Sequence, residues 1–318
     1  MKWNDLHSSF LGALEKKIPE KAKLIQTLAE TLFLEKGAIY RRLRGEVPFS
    51  FFEVANIVEK LDISFNSIIN SDASNIDRTE MTIVEYASLN ERVLDDYMTL
   101  IILAKNDPQS EFTESANVLP VSIFTGFEAL SKFFIFKFQY LFSGTDNRKT
   151  FNDLVLSEKT KQVFQSYFSE TKHFANTVFI WDYMIFRFLV TDLKFFFSIN
   201  LISENDLQLI KTDLIAFLDY IEEIAINGCF EETGNSVSFY ISDINFNTNY
   251  CCVKINDMYI SHIKSFILNS AQSFDISSYQ KINNWIHSLK RSSTLITQSG
   301  AVHRAEFFEK QRMIISEL

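Results

Sequence analysis

Twenty-two consecutive residues, Ile25–Glu46 (IQTLAETLFLEKGAIYRRLRGE), leave little freedom in how they can fold. Leu28 and Ala29 fall on one short helix, and the small Ala29 lets a second helix cross it closely. Leu34 falls in the connecting turn. Ile39 then faces back toward the first helix, which leaves Lys36, Gly37, Tyr40 and Arg41 along an outward face, and Arg44–Gly45 ends the second helix. Two short helices crossing at a tight turn make a helix-turn-helix. Downstream, Phe52, Val54, Ile57, Val58 and Leu61 repeat at helical spacing, and Ile63 and Ile68 predict one further short helix.

From LAETL through AIYRRLRGE to FFEVANIVEKLDISFNSII, residues 28–69, the sequence resembles the lambda-repressor/Cro-like family without a gap. The resemblance implies a five-helix DNA-binding domain over roughly residues 21–69, whose second motif helix enters the major groove. It implies that Lys36, Gly37, Ala38, Tyr40 and Arg41 occupy base-reading positions. Gln26 and Thr27 would open the preceding helix near the phosphate backbone, and Arg42 and Arg44 would contact phosphates. Two residues depart from the family pattern. Phe33 stands where the turn usually has glycine, so a differently built turn is expected. Arg42 stands where a core aliphatic is usual, so Leu43 is expected to take that place through a small helix rotation, which would decide whether Tyr40 or Arg41 faces the groove. The implied function is a dimeric transcription regulator bound to double-stranded DNA, since pairing two half-sites doubles a short readout. The alternative is a protein-interaction or scaffold module that uses the same fold without DNA, with YRRLR as a solvated basic face.

Charge distribution suits that reading better than total charge does. The chain carries a net −9, but residues 1–70 hold 10 Lys/Arg against 9 Asp/Glu, so the acidic excess lies downstream. Thirty-two Phe against 8 Gly and 4 Pro in 318 residues favour a mostly helical, well-filled core. At roughly 150 residues per domain, two domains are expected. We place a helix-turn-helix domain at residues 1–70, a polar linker at 71–79 (SDASNIDRT) and a regulatory and oligomerisation domain at 80–318. The expected fold is mainly α, with a small antiparallel hairpin or sheet near residues 236–266. The last 240 or so residues resemble, more loosely, the C-terminal portions of large bacterial helix-turn-helix regulators.

The N-terminus lacks a signal-type apolar run, and Val178–Ile202 is interrupted by Asp182, Arg187, Asp192 and Lys194. A cytoplasmic chain without a membrane segment is expected. Cys229, Cys251 and Cys252 form no CxxC, and the histidines lack metal spacing, so neither a metal nor a cofactor is expected. No GxSxG, Walker loop or HExxH suggests an enzyme.

Within the second domain, helices are expected over Glu80–Ala104, Gly126–Phe142, Ser157–Leu201, Ser203–Gly228, Ser278–Lys290 and Ala301 to the end, with Lys105–Pro120 as a loop. Two of these, Glu80–Ala104 and the last helix with Phe307, Phe308, Met313, Ile314 and Ile315, are candidate homodimer surfaces. The extra length suggests a small-molecule effector or a protein partner. The first place to expect a ligand is where Tyr240 and Ser242 of the hairpin meet Ser292, Ser293, Thr294 and Ser299 before the last helix. The aromatic group Phe174, Phe179, Trp181, Tyr183, Phe186 and Phe188 is expected to be core rather than pocket.

Overall fold

The computed structural model describes residues 3–61, 63, 68, 79–84, 98–99, 101–142, 149–266 and 269–318. The chain divides into two compact units, Met1–Glu80 and Met81–Leu318. Residues 71–78 of the polar segment lie outside the described residues.

The first unit is built from α1 (Trp3–Lys17), α2 (Lys21–Leu32), α3 (Lys36–Leu43) and α4 (Phe51–Leu61). Its core joins Phe10 and Leu14 of α1, Leu24, Ile25 and Leu28 of α2, Ile39 of α3, Phe49 and Ile57, with Ile63 and Ile68 closing it. Phe10 and Phe49 meet edge to face at 5.3 Å. The expectation of five helices over residues 21–69 is corrected. The helical array begins at Trp3; between residues 21 and 69 the described residues hold the three helices α2, α3 and α4, and Ile68 is helical as well. Of the expected last short helix only the single positions Ile63 and Ile68 are described.

The second unit is a layered α/β structure around an eight-stranded mixed sheet. In chain order it holds β1 (Thr82–Val84), β2 (Glu111–Ala116), α5 (Val121–Phe124), α6 (Glu128–Phe142), α7 (Glu158–Glu170), β3 (Asn176–Asp182), α8 (Arg187–Ser198), α9 (Glu204–Asn227), β4 (Ser236–Ser242), β5 (Asn249–Ile255), β6 (Met258–Phe266), β7 (Asn269–Ser273), α10 (Ile276–Arg291), β8 (Ser293–Leu295) and α11 (Ala301–Ser316). The strands lie in the order β1-β7-β6-β5-β2-β3-β4-β8. β2, β3 and β4 are parallel, joined by helical crossovers, and the remaining pairings are antiparallel. One face carries Phe179, Trp181, Val237, Phe239 and Ile241 against α6, α8, α9 and α11. The other carries Ile180 and Cys252 against Tyr279, Ile282 and Ile286 of α10.

This sheet corrects the expectation of a mainly α fold with a small hairpin. β3 lies inside the expected Ser157–Leu201 helical stretch, β2 inside the expected loop, and β1 inside the expected Glu80–Ala104 helix. A central parallel strand is covered on both faces and reads as a continuous apolar run, which periodicity cannot separate from a buried helix. β2 escapes notice for the opposite reason, because its inward face includes a carboxylate, Glu114. Of the Glu80–Ala104 stretch, residues 85–97 and 100 lie outside the described residues. Ile101 and Ala104 are spent on the core of the second unit, as are Phe307, Phe308, Ile314 and Ile315 of α11. Those side chains therefore form no free dimer surface; Met313 of that group is exposed.

Other local signals carry through. Ser203 caps α9 and forms a reciprocal capping box with Asp206, and Gly228 ends the helix in the left-handed conformation. At the start of α11, Gly300 has φ +72°, and a Cβ there would lie 2.5 Å from the Leu295 carbonyl oxygen. Backbone cannot yield as a side chain can, so Gly300→Ala should destabilise the second unit by about 1–3 kcal/mol. Urea unfolding read by near-ultraviolet circular dichroism checks this. A midpoint equal to wild type would remove the close approach from the account.

Candidate nucleic-acid interface

The turn between α2 and α3 is made by Phe33 itself. Phe33 adopts φ 54° and ψ 40°, its N–H donates to the Ala29 carbonyl, and its ring is 94% exposed. The turn thus keeps the left-handed geometry for which glycine is usual, contrary to the expectation of a different build. The arrangement costs an L-residue about 1–2 kcal/mol. Phe33→Gly relieves that strain and returns ~0.4–1 kcal/mol through the freer unfolded chain. The net expectation is a gain of about 0.5–1 kcal/mol in the stability of the first unit, measured by denaturant titration of the full chain; a loss would show that the ring is held by a contact.

α3 presents its faces as follows. Ile39 is fully buried and Leu43 packs beside the same core. Lys36, Gly37, Tyr40, Arg41 and Arg44 lie on the exposed side, with Ala38 half-buried. Tyr40 and Arg41 are both exposed. Arg44 reaches Glu46 at 3.1 Å, and Arg41 approaches the same carboxylate at 3.8 Å. These exposed pairs are weak and exchange readily for other anions.

Arg42 is placed differently. Its guanidinium pairs with Glu53 at 2.7 Å, with both side chains largely buried, and donates to the Ala38 carbonyl. Glu53 in turn accepts from the Ser50 N–H, while the Glu53 N–H donates to Ser50 Oγ, so the pair ties α3 to the capping box that opens α4. An ion pair here fills the position where the family pattern has an aliphatic. Arg42 is therefore turned to Glu53 rather than offered to a phosphate. Gln26 and Thr27 stand in the middle of α2 and not at its opening. Gln26 donates to Glu30 and Thr27 to the Lys23 carbonyl, both within the helix.

Burial opposes the Glu53 charge, but the hydrogen bond and charge of Arg42 and the Ser50 contacts outweigh it and hold its pKa below the ordinary 4.5. A carboxylate depressed in the folded state stabilises above its unfolded pKa and loses that contribution as pH falls through the folded one. The stability difference between wild type and Glu53→Gln should therefore be full above pH 4.5 and close below it. Equal differences at pH 7 and pH 3 would refute the assignment.

The expected ligand residues before α11 do come together, but as sheet partners. Ser292 immediately precedes β8, and Ser293 pairs with Ser242. Tyr240 stands opposite Leu295, and the Lys290 ammonium lies 4.7 Å above its ring centre. Ser242 donates to the Ile244 carbonyl, Ser292 and Ser293 to that of Leu289, Thr294 to Asp243, and Ser299 to the Thr297 carbonyl. The hydroxyls close the sheet edge on local acceptors. Of the aromatic group, Phe174, Phe179, Trp181 and Phe186 are buried, whereas Tyr183 and Phe188 are exposed.

Across the centre of the sheet, Phe239, Phe179, Glu114, Cys251 and His262 stand abreast on five adjoining strands. Sequence spacing could not show this row, because its members come from distant segments. Burial, with the nearby Glu114 charge adding to it, pushes the Cys251 thiol well above its ordinary range. Burial and the Lys264 charge lower His262 to about 4. Both are neutral near pH 7, so the row supplies no activated thiolate. Among the described residues, no group of three or more His, Cys, Asp or Glu is placed to hold a metal ion, and no helix is long and apolar enough to cross a membrane. No protein-family model matches the chain, and no curated protein or solved structure matches it.

Proposed function

We propose that the chain is a sequence-specific DNA-binding transcription regulator, active as a homodimer, whose second unit responds to an effector or a protein partner. The observation that carries this reading is the outward face of α3, where Lys36, Gly37, Tyr40, Arg41 and Arg44 line one exposed side of a helix fixed from behind by Ile39. A helix so presented can enter a major groove with its first turns at base edges and its basic end at the backbone. Lys36, Tyr40 and Arg41 are the candidate readers, and Arg44 is the candidate phosphate contact. Glu46 is a local competitor for both arginines.

The test is selection of bound sequences from a random duplex pool by the purified full chain, followed by titration at several salt concentrations. Arg44→Ala should weaken every duplex and reduce the log–log salt slope by about 1. Lys36→Ala or Tyr40→Ala should relax preference at particular base pairs by about 1–3 kcal/mol. Arg42→Ala should leave the salt slope unchanged and instead lower the stability of the first unit. Glu46→Gln should tighten binding to all duplexes, because it frees two guanidinium groups. Equal affinity for every duplex at all salt concentrations would defeat the reading.

A second reading, docking of a partner protein on the first unit, is favoured by one observation. Phe51 and Phe52, at the start of α4, are largely exposed, as is Phe33. Large apolar side chains held in water are a feature of association surfaces. Phe51→Ser together with Phe52→Ser separates the readings, since loss of a co-purifying partner with duplex affinity intact assigns that surface to protein.

A further inference from the structure

The chain order of the central strands reverses at β2. β2, β3 and β4 follow one another in one direction, and the next strand, β5, then pairs on the far side of β2. β5 runs antiparallel to β2, so the carboxyl end of β2 lies beside the loop that enters β5, and α/β sheets commonly bind ligands beyond strand carboxyl ends where strand order reverses. A cavity of about 370 Å³ lies there. Its walls come from the segment after β2, from α6, from the start of α8 and from the loop that leads into β5. That volume lies within the ~300–1,000 Å³ range of small-molecule sites.

We propose that this cavity binds a small amphipathic monocarboxylate, with its acyl or aryl body among Leu130, Phe133, Phe134 and Leu189 and its carboxylate between Lys137 and Lys264. As a ligand site it stands whatever α3 touches; that it is the effector site rests on the DNA-binding reading.

Three observations support the carboxylate. The first is the charge on the wall. Lys137 and Lys264 line the cavity, and among the described residues Asp192 is the one acid that does. Glu114, which pairs with Lys264, is fully buried behind it and accepts a second bond from Ser122 at 2.6 Å. The second is the balance of donors. An ammonium has three N–H groups. Among the described residues, Lys137 spends one on Asp192 and Lys264 one on Glu114. The third is the state of the other polar groups. Asn249 accepts from the Asn117 N–H and donates to the Val118 carbonyl, and Thr248 donates to the Lys264 carbonyl. The ammonium groups thus keep donors in reserve under positive charge, and a ligand that brings negatively charged acceptors complements them. Asp192 is a third exposed and can turn toward water as the ligand enters, whereas Glu114 stays in place.

The test uses the full chain and isothermal titration calorimetry with octanoate, octanamide, octylamine and acetate, without DNA. Octanoate should bind saturably, at least tenfold more tightly than octanamide, and acetate and octylamine should not bind. Lys137→Gln should weaken octanoate about tenfold and leave octanamide unchanged. Leu189→Trp, which fills the cavity, should abolish both; if that variant unfolds, Phe134→Trp replaces it. Octanoate no better than octanamide, no saturable octanoate binding, or unchanged affinity in the filled variant would each overturn the proposal. Duplex titration with and without octanoate is the separate second arm. Calorimetric binding with no effect on a duplex that the chain binds keeps the ligand site and removes its effector role. Calorimetric binding in a chain that binds no duplex keeps the site and removes the DNA reading.

Discussion

The second unit depends on a carboxylate placed where a hydrophobic residue would ordinarily go. Glu114 sits on the central strand β2, fully buried, and its partner Lys264 comes from β6, on the far side of β5. Ser122 at the start of α5 completes the arrangement. Burying the Glu114 charge is costly, and leaving it without its partner costs more, about 3–5 kcal/mol in typical cases. The pair therefore ties three things together: the register of β2, β5 and β6, the descent of the chain from β2 into α5, and the placement of the Lys264 ammonium at the cavity beside the carboxyl end of β2. On the other side of Glu114 the same row becomes aromatic, with Phe179 stacked on Phe239 at 4.8 Å. Glu114 thus interrupts a largely apolar sheet, with Phe179 and Phe239 on one side and the Cys251, Val253, Ile255 and Ile260 cluster on the other.

The first unit uses the same device on a smaller scale. Arg42 and Glu53 replace an aliphatic contact between α3 and α4, and the pair also supplies one side of a helix cap. Such a pair is directional where an aliphatic contact is not. It sets the rotation of α3 about its own axis and thus which side chains face outward. Ile39 and Leu43, four residues apart, hold the inner side. Lys36, Tyr40 and Arg44 follow at the same spacing on the outer one.

What the sequence revealed divides along physical lines. Signals that depend on neighbours in the chain were legible: the Ser203 cap and Gly228 stop of α9, the alternation Val237, Phe239, Ile241 in β4, and the α2–α3 spacing. Signals that depend on distant partners were not. Phe33 adopts a backbone conformation that its residue type disfavours because the packing of Leu28 against Ile39 demands the turn. Glu114 looks like a surface residue until Lys264, 150 positions later, is brought beside it. The cavity draws Lys137, Asp192 and Lys264 from three segments, none of which carries a motif. The hydroxyl-rich segment before α11 misled for the converse reason. Its composition matched an anion site, but its hydroxyls had local backbone acceptors within reach.

Ligand binding in the second unit bears on a duplex only through a difference between states. An occupant that binds two arrangements of the protein equally shifts nothing, however tightly it is held. A tenfold change in duplex affinity needs about 1.4 kcal/mol of preference. The element best placed to supply it within the second unit is α8. Its first turns give Leu189 and Asp192 to the cavity, while Arg187 and Lys194 both donate to Glu317 at the end of α11. Those last contacts are exposed and individually weak. The apolar side of α8, Val190, Leu193 and Phe196, is locked in the main core. On the proposed ligand site, an occupant that displaced Asp192 from Lys137 would act on a helix firm along its core side and tied by exposed pairs along its solvent side, so any differential binding would have to be expressed at those exposed pairs rather than in the core.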